Sequence, residues 1–266
     1  MTAAFDHIAI DYDSNFTYSE TGKAARKIVL DYLEKNVLKD GPLKILELNC
    51  GTGEDAIWLS KRGNEVYATD ASSEMIRVAK EKSSNFNIRG LTFCQLDFSE
   101  LPPDWMTGNF DLVFSNFGGL NCLDENRMKN LFEAVNMILK PGGRFIGVIM
   151  PRYCLWEIFY FSLKGKWKKA LRRNKKGPAK VWLGGIYIDT WFYSPRKIKN
   201  LSAYYRIKAI RPVGIILPSS FMEGFFKKRI FLMKMLYRAE KAFASITALA
   251  GLSDHFLFDL ENDLSR

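Results

Sequence analysis

Residues 45–53, Ile45-Leu46-Glu47-Leu48-Asn49-Cys50-Gly51-Thr52-Gly53, decide the fold. An apolar run that ends in a carboxylate and then turns on glycines is how a strand buried on both faces delivers its end to a ligand. The strand is expected over Leu43 to Leu48, and a helix over Glu54 to Lys61. Gly51 and Gly53 let the backbone turn sharply and come close to a bound molecule, which a Cβ would obstruct. A bare G-x-G also fits a plain strand-to-helix turn, so the strands further along the chain have to decide between the two.

Three more strands repeat the pattern. Val66 to Thr69 ends at Asp70, where an α/β cofactor fold places a carboxylate to accept both hydroxyls of a ribose; capping a helix over Ser73 to Glu81 is compatible with that role. Leu91 to Leu96 runs into Asp97-Phe98, a polar acceptor beside a ring able to flank a purine, and Phe110 to Ser115 runs into Asn116-Phe117-Gly118-Gly119. Four successive strands end in polar or glycine residues, and ligands of such sheets bind outside the carboxyl ends of the strands.

With Val66-Tyr-Ala-Thr-Asp70, Cys94-Gln-Leu-Asp-Phe98, Phe110-Asp-Leu-Val-Phe-Ser-Asn116 and Leu139-Lys-Pro-Gly-Gly-Arg-Phe145, the chain resembles the ordered motifs of class I S-adenosylmethionine-dependent methyltransferases. The resemblance is detailed over roughly residues 10–150 and holds only in outline beyond. It implies S-adenosyl-L-methionine as cofactor and a Rossmann-like, doubly wound α/β fold: seven strands, six parallel and the seventh antiparallel, with helices on both faces. Glu47, Gly51 and Gly53 would surround the methionine part and Asp70 the ribose, with Ala71 and Met75 also counted as cofactor-binding. Asp97 and Phe98 would face the adenine, and Asn116 and Phe117 would line the transfer site. One departure stands out: Asn49 occupies the first glycine position of the E-x-G-x-G-x-G pattern. Asn tolerates unusual backbone angles, so the loop survives, and its side chain can reach the ligand.

A nicotinamide dinucleotide is the competing cofactor, because Gly51 to Ala56 matches G-x-G-x-x-A. Glu47 argues against it: a carboxylate there faces a pyrophosphate unfavourably and suits a cationic sulfonium and amino group.

At 266 residues the chain is long enough for one well-buried α/β domain with additions, and 47% hydrophobic residues indicate a globular protein. Cys50, Cys94, Cys122 and Cys154 are scattered without a C-x-x-C, which reads as reduced cysteines of a cytoplasmic protein. The acidic stretch Met1 to Asp13 lacks the basic start of a signal peptide, and no apolar run approaches the length of a membrane span. No set of acids and histidines suggests a metal site.

The expected organisation is a single domain, residues 1–266, with a helical cap at 1–40 and a cofactor-binding half at 41–150. Within the cap, Tyr12 and Phe16 are expected to cover the cofactor, as the resemblance implies. The core continues after a fifth strand, Arg144 to Met150, through residues 194–218 and 253–266: a helix at Pro195 to Ala203, a sixth strand at Tyr205 to Leu217 bending near Pro212-Val213-Gly214, and a seventh at His255 to Leu260. Residues 151–193 and 219–252 are then insertions that leave the cofactor edge of the sheet, and both are expected to form a lid over the site. The first holds 10 Lys and Arg against 2 Asp and Glu, the second 6 against 2; because the whole chain is +10, everything outside them is slightly acidic. In the first, Trp156, Tyr160, Leu163, Trp167 and Leu171 recur at helical spacing beside Lys164, Lys168, Arg172 and Lys175, with Gly165 weakening the helix. Val181-Trp-Leu183, Gly184-Gly185 and Ile186-Tyr-Ile188 then read as a hairpin. In the second, Met222, Phe226, Ile230, Met233 and Tyr237 form the stripe. Such helices pack on the core with a solvated basic face, rest on an anionic membrane surface, or meet an anionic soluble substrate or RNA.

The acceptor is expected to be a small or lipid-like metabolite, since Ser115-Asn-Phe-Gly-Gly119 lacks the N/D-P-P-Y tetrad of enzymes that methylate exocyclic base amines or glutamine amides. Nucleic acid is a weaker candidate: the aromatics are spaced for burial rather than displayed on a sheet. Two alternatives stand beside this, an RNA or protein methyltransferase using the basic lid and a non-catalytic cofactor-binding regulatory subunit. In-line methyl transfer asks mainly for positioning and exclusion of water. If a general base is needed, His255 and Tyr12 are the candidates.

Overall fold

The computed structural model describes residues 5–102 and 106–263; the first residues of the expected cap and the last of the expected core lie outside the described residues. The apolar runs become strands β1 (Lys44–Leu48), β2 (Glu65–Asp70), β3 (Leu91–Gln95) and β4 (Phe110–Ser115), followed by β5 (Leu139–Ile149), β8 (Tyr205–Val213) and β9 (His255–Asn262). They form one seven-stranded sheet in the order β3-β2-β1-β4-β5-β9-β8. β9 runs antiparallel to both of its neighbours and the other pairings are parallel, giving the expected six-plus-one sheet.

Alternation along each strand divides the core in two. Leu46, Leu48, Val113, Phe145 and Phe258 face one side, where α4 (Glu125–Ile138) and α7 (Pro195–Leu201) pack. Ile45, Val66, Ala68, Phe114 and Ile146 face the other, beneath α1 (Glu20–Asn36), α2 (Glu54–Ser60) and α3 (Ser73–Ser84). Both faces are covered, so the strands read as continuous apolar runs.

The elements depart from expectation where backbone geometry intervenes. β5 starts at Leu139, five residues before the expected Arg144, because the chain passes from α4 directly into the strand. β8 ends at Val213, where Gly214 takes φ +79° and turns the chain; the expected strand through Leu217 is a strand and a loop. Gly165, at φ +66°, splits the expected basic helix into α5 (Leu155–Leu163) and α6 (Trp167–Ala170). β6 (Ala179–Leu183) and β7 (Ile186–Thr190) are the expected hairpin, closed by Gly184-Gly185 with both glycines at positive φ.

The second insertion, α8 (Glu223–Phe226) and α9 (Ile230–Phe243), packs on α1. Phe226 and Met233 are buried with Ile28, Val29 and Leu33, and the Glu223 carboxylate accepts the amides of Glu20 and Thr21 at 2.9 and 3.0 Å, capping the start of α1. The chain bends at Arg229, so Ile230 leaves the expected stripe and is 54% exposed.

Candidate active site

Because β1 to β4 run parallel, their carboxyl ends reach one edge of the sheet together, and a cavity of about 280 Å³ opens there. Of the residues singled out by sequence, Tyr12, Asn49, Gly51, Asp70, Ala71, Met75, Asp97, Phe98 and Phe117 line it. Glu47, Gly53, Asn116 and His255 are not in its wall.

The two loop glycines do different things. A Cβ on Gly51, at φ +54°, would meet nothing within 4 Å, so its backbone faces open cavity. A Cβ on Gly53, at φ +77°, would lie 2.8 Å from the Phe93 ring; that glycine is required by packing beneath the loop. Asn49 adopts φ +49°, the left-handed region it tolerates better than most residues. Its Nδ2 donates to the Asn116 carbonyl at 2.8 Å and its Oδ1 accepts from the Ser115 hydroxyl, which ties the β1 loop to the β4 loop. Gly119 makes room for it, since a Cβ at 119 would lie 2.2 Å from the Asn49 Cγ.

Asp70 accepts the Gly51 amide at 2.9 Å on one carboxylate oxygen and the Ser72 amide at 2.9 Å on the other, while Ser72 caps α3. Burial pushes its carboxyl above the usual range, opposed by those backbone hydrogen bonds. Asp97 accepts the Ser99 amide at 2.9 Å and its hydroxyl at 2.7 Å; these bonds outweigh burial and hold it below the usual carboxylate range.

Beneath the loop lies a buried ionic cluster. Arg26 of α1 pairs with Asp55 of α2, which also accepts from Asn116 Nδ2 at 2.8 Å. Glu47 is 2% exposed, and burial, with Asp55 nearby, pushes its carboxyl well above the usual range despite Arg26. Glu47 Oε2, Asp55 Oδ1, Asn116 Oδ1 and Arg26 Nε are buried without a hydrogen-bond partner among the described residues. Unpaired buried polar atoms of this kind are costly. An open glycine cradle flanked by acids and backed by unpaired polar atoms is a set into which a cationic, ribose-bearing ligand fits.

Much of the remaining lining is apolar: Phe16 from the N-terminal segment, Phe117 and Met150 just beyond the ends of β4 and β5, and Val181, Leu183 and Ile188 from the hairpin. Within residues 151–193, the hairpin therefore covers the cavity. None of residues 219–252 lines it, since their apolar side chains are engaged with α1.

The candidate bases are placed differently from each other. His255 meets the Phe117 ring in a T-shaped contact, centroids 5.1 Å apart, with its Nδ1 3.3 Å from Asp254. Burial favours protonation of Asp254, but His255 and Arg173 outweigh it and hold the carboxyl well below the usual range. Tyr12 is in the wall, and burial raises its phenol, so at neutral pH it carries its proton and can donate a hydrogen bond but not accept a proton as the phenolate would. Cys122, also in the wall, is pushed up to about 11 by burial and is a neutral thiol. Among the described residues, no group of three or more His, Cys, Asp or Glu is placed to hold a metal ion.

Sequence reasoning passed over two residues. Arg26 looks like an ordinary helix-surface charge, and only the approach of α1 to α2 buries it. Asn121, fully buried, accepts the Met150 amide at 2.9 Å and donates to the Trp191 carbonyl at 2.6 Å, fastening the two ends of the first insertion. The polar residue shortly after Gly118-Gly119 was its only signal.

Residues 45–143 match the family model described as a methyltransferase domain. Over 117 residues the chain is 34% identical to the methyltransferase YqeM of Bacillus subtilis, covering 44% of this chain and 46% of that protein. Over 144 residues it is 33% identical to the demethylmenaquinone methyltransferase of Staphylococcus carnosus, covering 52% and 55%. The chain thus spans about half the length of these curated relatives. A solved S-adenosylmethionine-dependent methyltransferase from Methanosarcina mazei superposes with TM-score 0.60 at 17% identity, over 89% of this chain and 97% of its own, a likeness of fold. Sheet order, strand-end loop and matched domain agree: residues 45–143 are a methyltransferase domain, and the fold is that of S-adenosylmethionine-dependent methyltransferases.

Proposed function

We propose that this protein transfers the methyl group of S-adenosyl-L-methionine to a small, lipid-like acceptor. The observation that carries the reading is a cavity with two kinds of lining: the strand-end residues Gly51, Asp70 and Asp97, and the apolar Phe117, Met150, Val181, Leu183 and Ile188. Asp70 would hold the ribose hydroxyls, Phe98 and Asp97 the adenine, and the loop from Asn49 to Gly53 the methionine end, with the buried acids beneath favouring positive charge. When bound, the cofactor supplies a methyl group activated by cationic sulfur. The chain then has to hold the acceptor in line and keep water out, which the apolar wall is built to do. His255 meets the Phe117 ring and is proposed to position that ring rather than to take a proton. The Staphylococcus carnosus relative is named for a demethylmenaquinone, which accords with a lipid-like acceptor. Such acceptors reside in membranes, so peripheral contact with an anionic membrane surface belongs to the same reading.

Calorimetry tests the cofactor: S-adenosylmethionine and S-adenosylhomocysteine should bind and NAD should not. Asp70→Ala should weaken binding by about 1.5 to 3 kcal/mol, roughly 10- to 100-fold, with an unchanged circular dichroism spectrum. Normal binding would leave Asp70 as a loop-fixing residue only. Methyl-labelled cofactor should transfer label into the organic-soluble fraction of a cell extract; label found only in protein or RNA defeats the acceptor assignment.

A further inference from the structure

The lid hairpin has two faces. Val181, Leu183 and Ile188 line the cavity, whereas Trp182 and Tyr187, paired across the strands with ring centroids 4.8 Å apart, are 60% and 64% exposed. The segment before it also exposes apolar side chains: Leu155, Phe159 and Leu163 of α5 are 45%, 58% and 72% exposed, and Trp167 and Leu171, beyond the break at Gly165, 64% and 52%. The expected stripe had Trp156 and Tyr160 where Leu155 and Phe159 stand; those two rings are half-buried. Around this apolar series Lys164, Lys166, Lys168, Lys169, Lys175 and Lys176 are exposed, and no carboxylate among the described residues pairs with them. Glu157, the acid of the helical segment, is engaged by Arg172 and Arg173.

We propose that this outer face of the lid docks on an anionic lipid surface. Apolar side chains left exposed lose contact with water when they enter the headgroup region, and lysines beside them that no carboxylate neutralises complement anionic headgroups. Trp and Tyr, with an apolar body and a polar tip, suit the boundary between the two. Among the described residues no helix is long and apolar enough to cross a membrane, so this is a contact of the surface. The inner face of the same hairpin walls the cavity, and docking would set that cavity against the lipid; this last link rests on the proposed lipid-like acceptor, the docking itself does not.

The test is cosedimentation of the whole chain with vesicles of phosphatidylcholine alone and of phosphatidylcholine mixed with phosphatidylglycerol, at low and high salt. Binding is expected only to the anionic vesicles and should fade with salt. The double variant Lys164→Glu, Lys168→Glu should lower partitioning about 20-fold or more, and Leu163→Ser, Trp167→Ser should also lower it, while both keep the wild-type affinity for S-adenosylhomocysteine. That affinity reports the fold and the cofactor reading separately from the lipid contact. Equal binding to both vesicle types, or to neither, overturns the proposal, as does anionic binding unchanged in both variants. Binding of an RNA oligomer without vesicle binding overturns it as well. So does a dimer in gel filtration that Leu163→Ser, Trp167→Ser dissociates, because a second copy of the chain would then cover this face.

Discussion

Glu47 sits where a folded protein without ligand gains nothing from its charge. Its carboxyl is buried and pushed well above the usual range, and one oxygen has no partner. A carboxyl with a raised folded-state pKa binds more protons when folded, so its contribution is complete below the unfolded pKa and is lost as pH rises through the folded one. Glu47→Gln should therefore stabilise the cofactor-free protein near neutral pH by at least about 1 kcal/mol, with the gain vanishing below the ordinary carboxylate range. Urea denaturation at the two pH values checks it; equal stability of variant and wild type at neutral pH would mean that Arg26 neutralises the charge in full. The same variant should bind cofactor more weakly. The carboxylate at the end of an apolar run could be read in the sequence, because strand ends announce themselves. That Phe93 leaves no room for a Cβ at Gly53 could not, and neither could the dependence of Asn49 on Gly119. Those are contacts between residues 40 and 70 positions apart in the chain.

At the scale of elements, the strands were legible because burial on both faces writes each as an unbroken apolar run. The helices expected from Ser73 and Pro195 form where expected, each behind a capping serine, Ser72 and Ser194, whereas α4 behind Asp124 was not anticipated. What the sequence left hidden are carboxylates that serve distant backbone. Glu240 of α9, between Arg238 and Lys241, reads as a surface charge, yet it is fully buried and accepts the amides of Gly214, Ile215, Ile216 and Leu217 at 2.8, 3.2, 2.7 and 2.9 Å. It replaces the strand pairing that β8 abandons at Val213. Glu240→Ala leaves four amides without their acceptor and should cost about 3 kcal/mol or more, read from the urea midpoint. A loss under about 1 kcal/mol would show that water takes over the carboxylate's role.

Over the whole molecule, a slightly acidic core carries two basic insertions of different kinds: residues 219–252 pack on α1, and the hairpin of residues 151–193 lines the cavity. The sequence placed both at the cofactor edge because both leave the core there; which of them turns back over the cavity depends on side chains such as Asn121. Asn121→Ala should loosen the hairpin while sparing the sheet. Hydrogen exchange should speed up about 10-fold in β6 and β7 and stay unchanged in β1 and β4, and a uniform change would assign Asn121 to global stability instead. Met150 and Trp191 meet on that one asparagine, so the insertion is a loop closed at its neck. The entropy of closing such a loop grows only slowly with its length. The segment between them is therefore an exchangeable cassette: splicing in another of different size would reshape the apolar lining of the cavity without rebuilding the strand ends beside it.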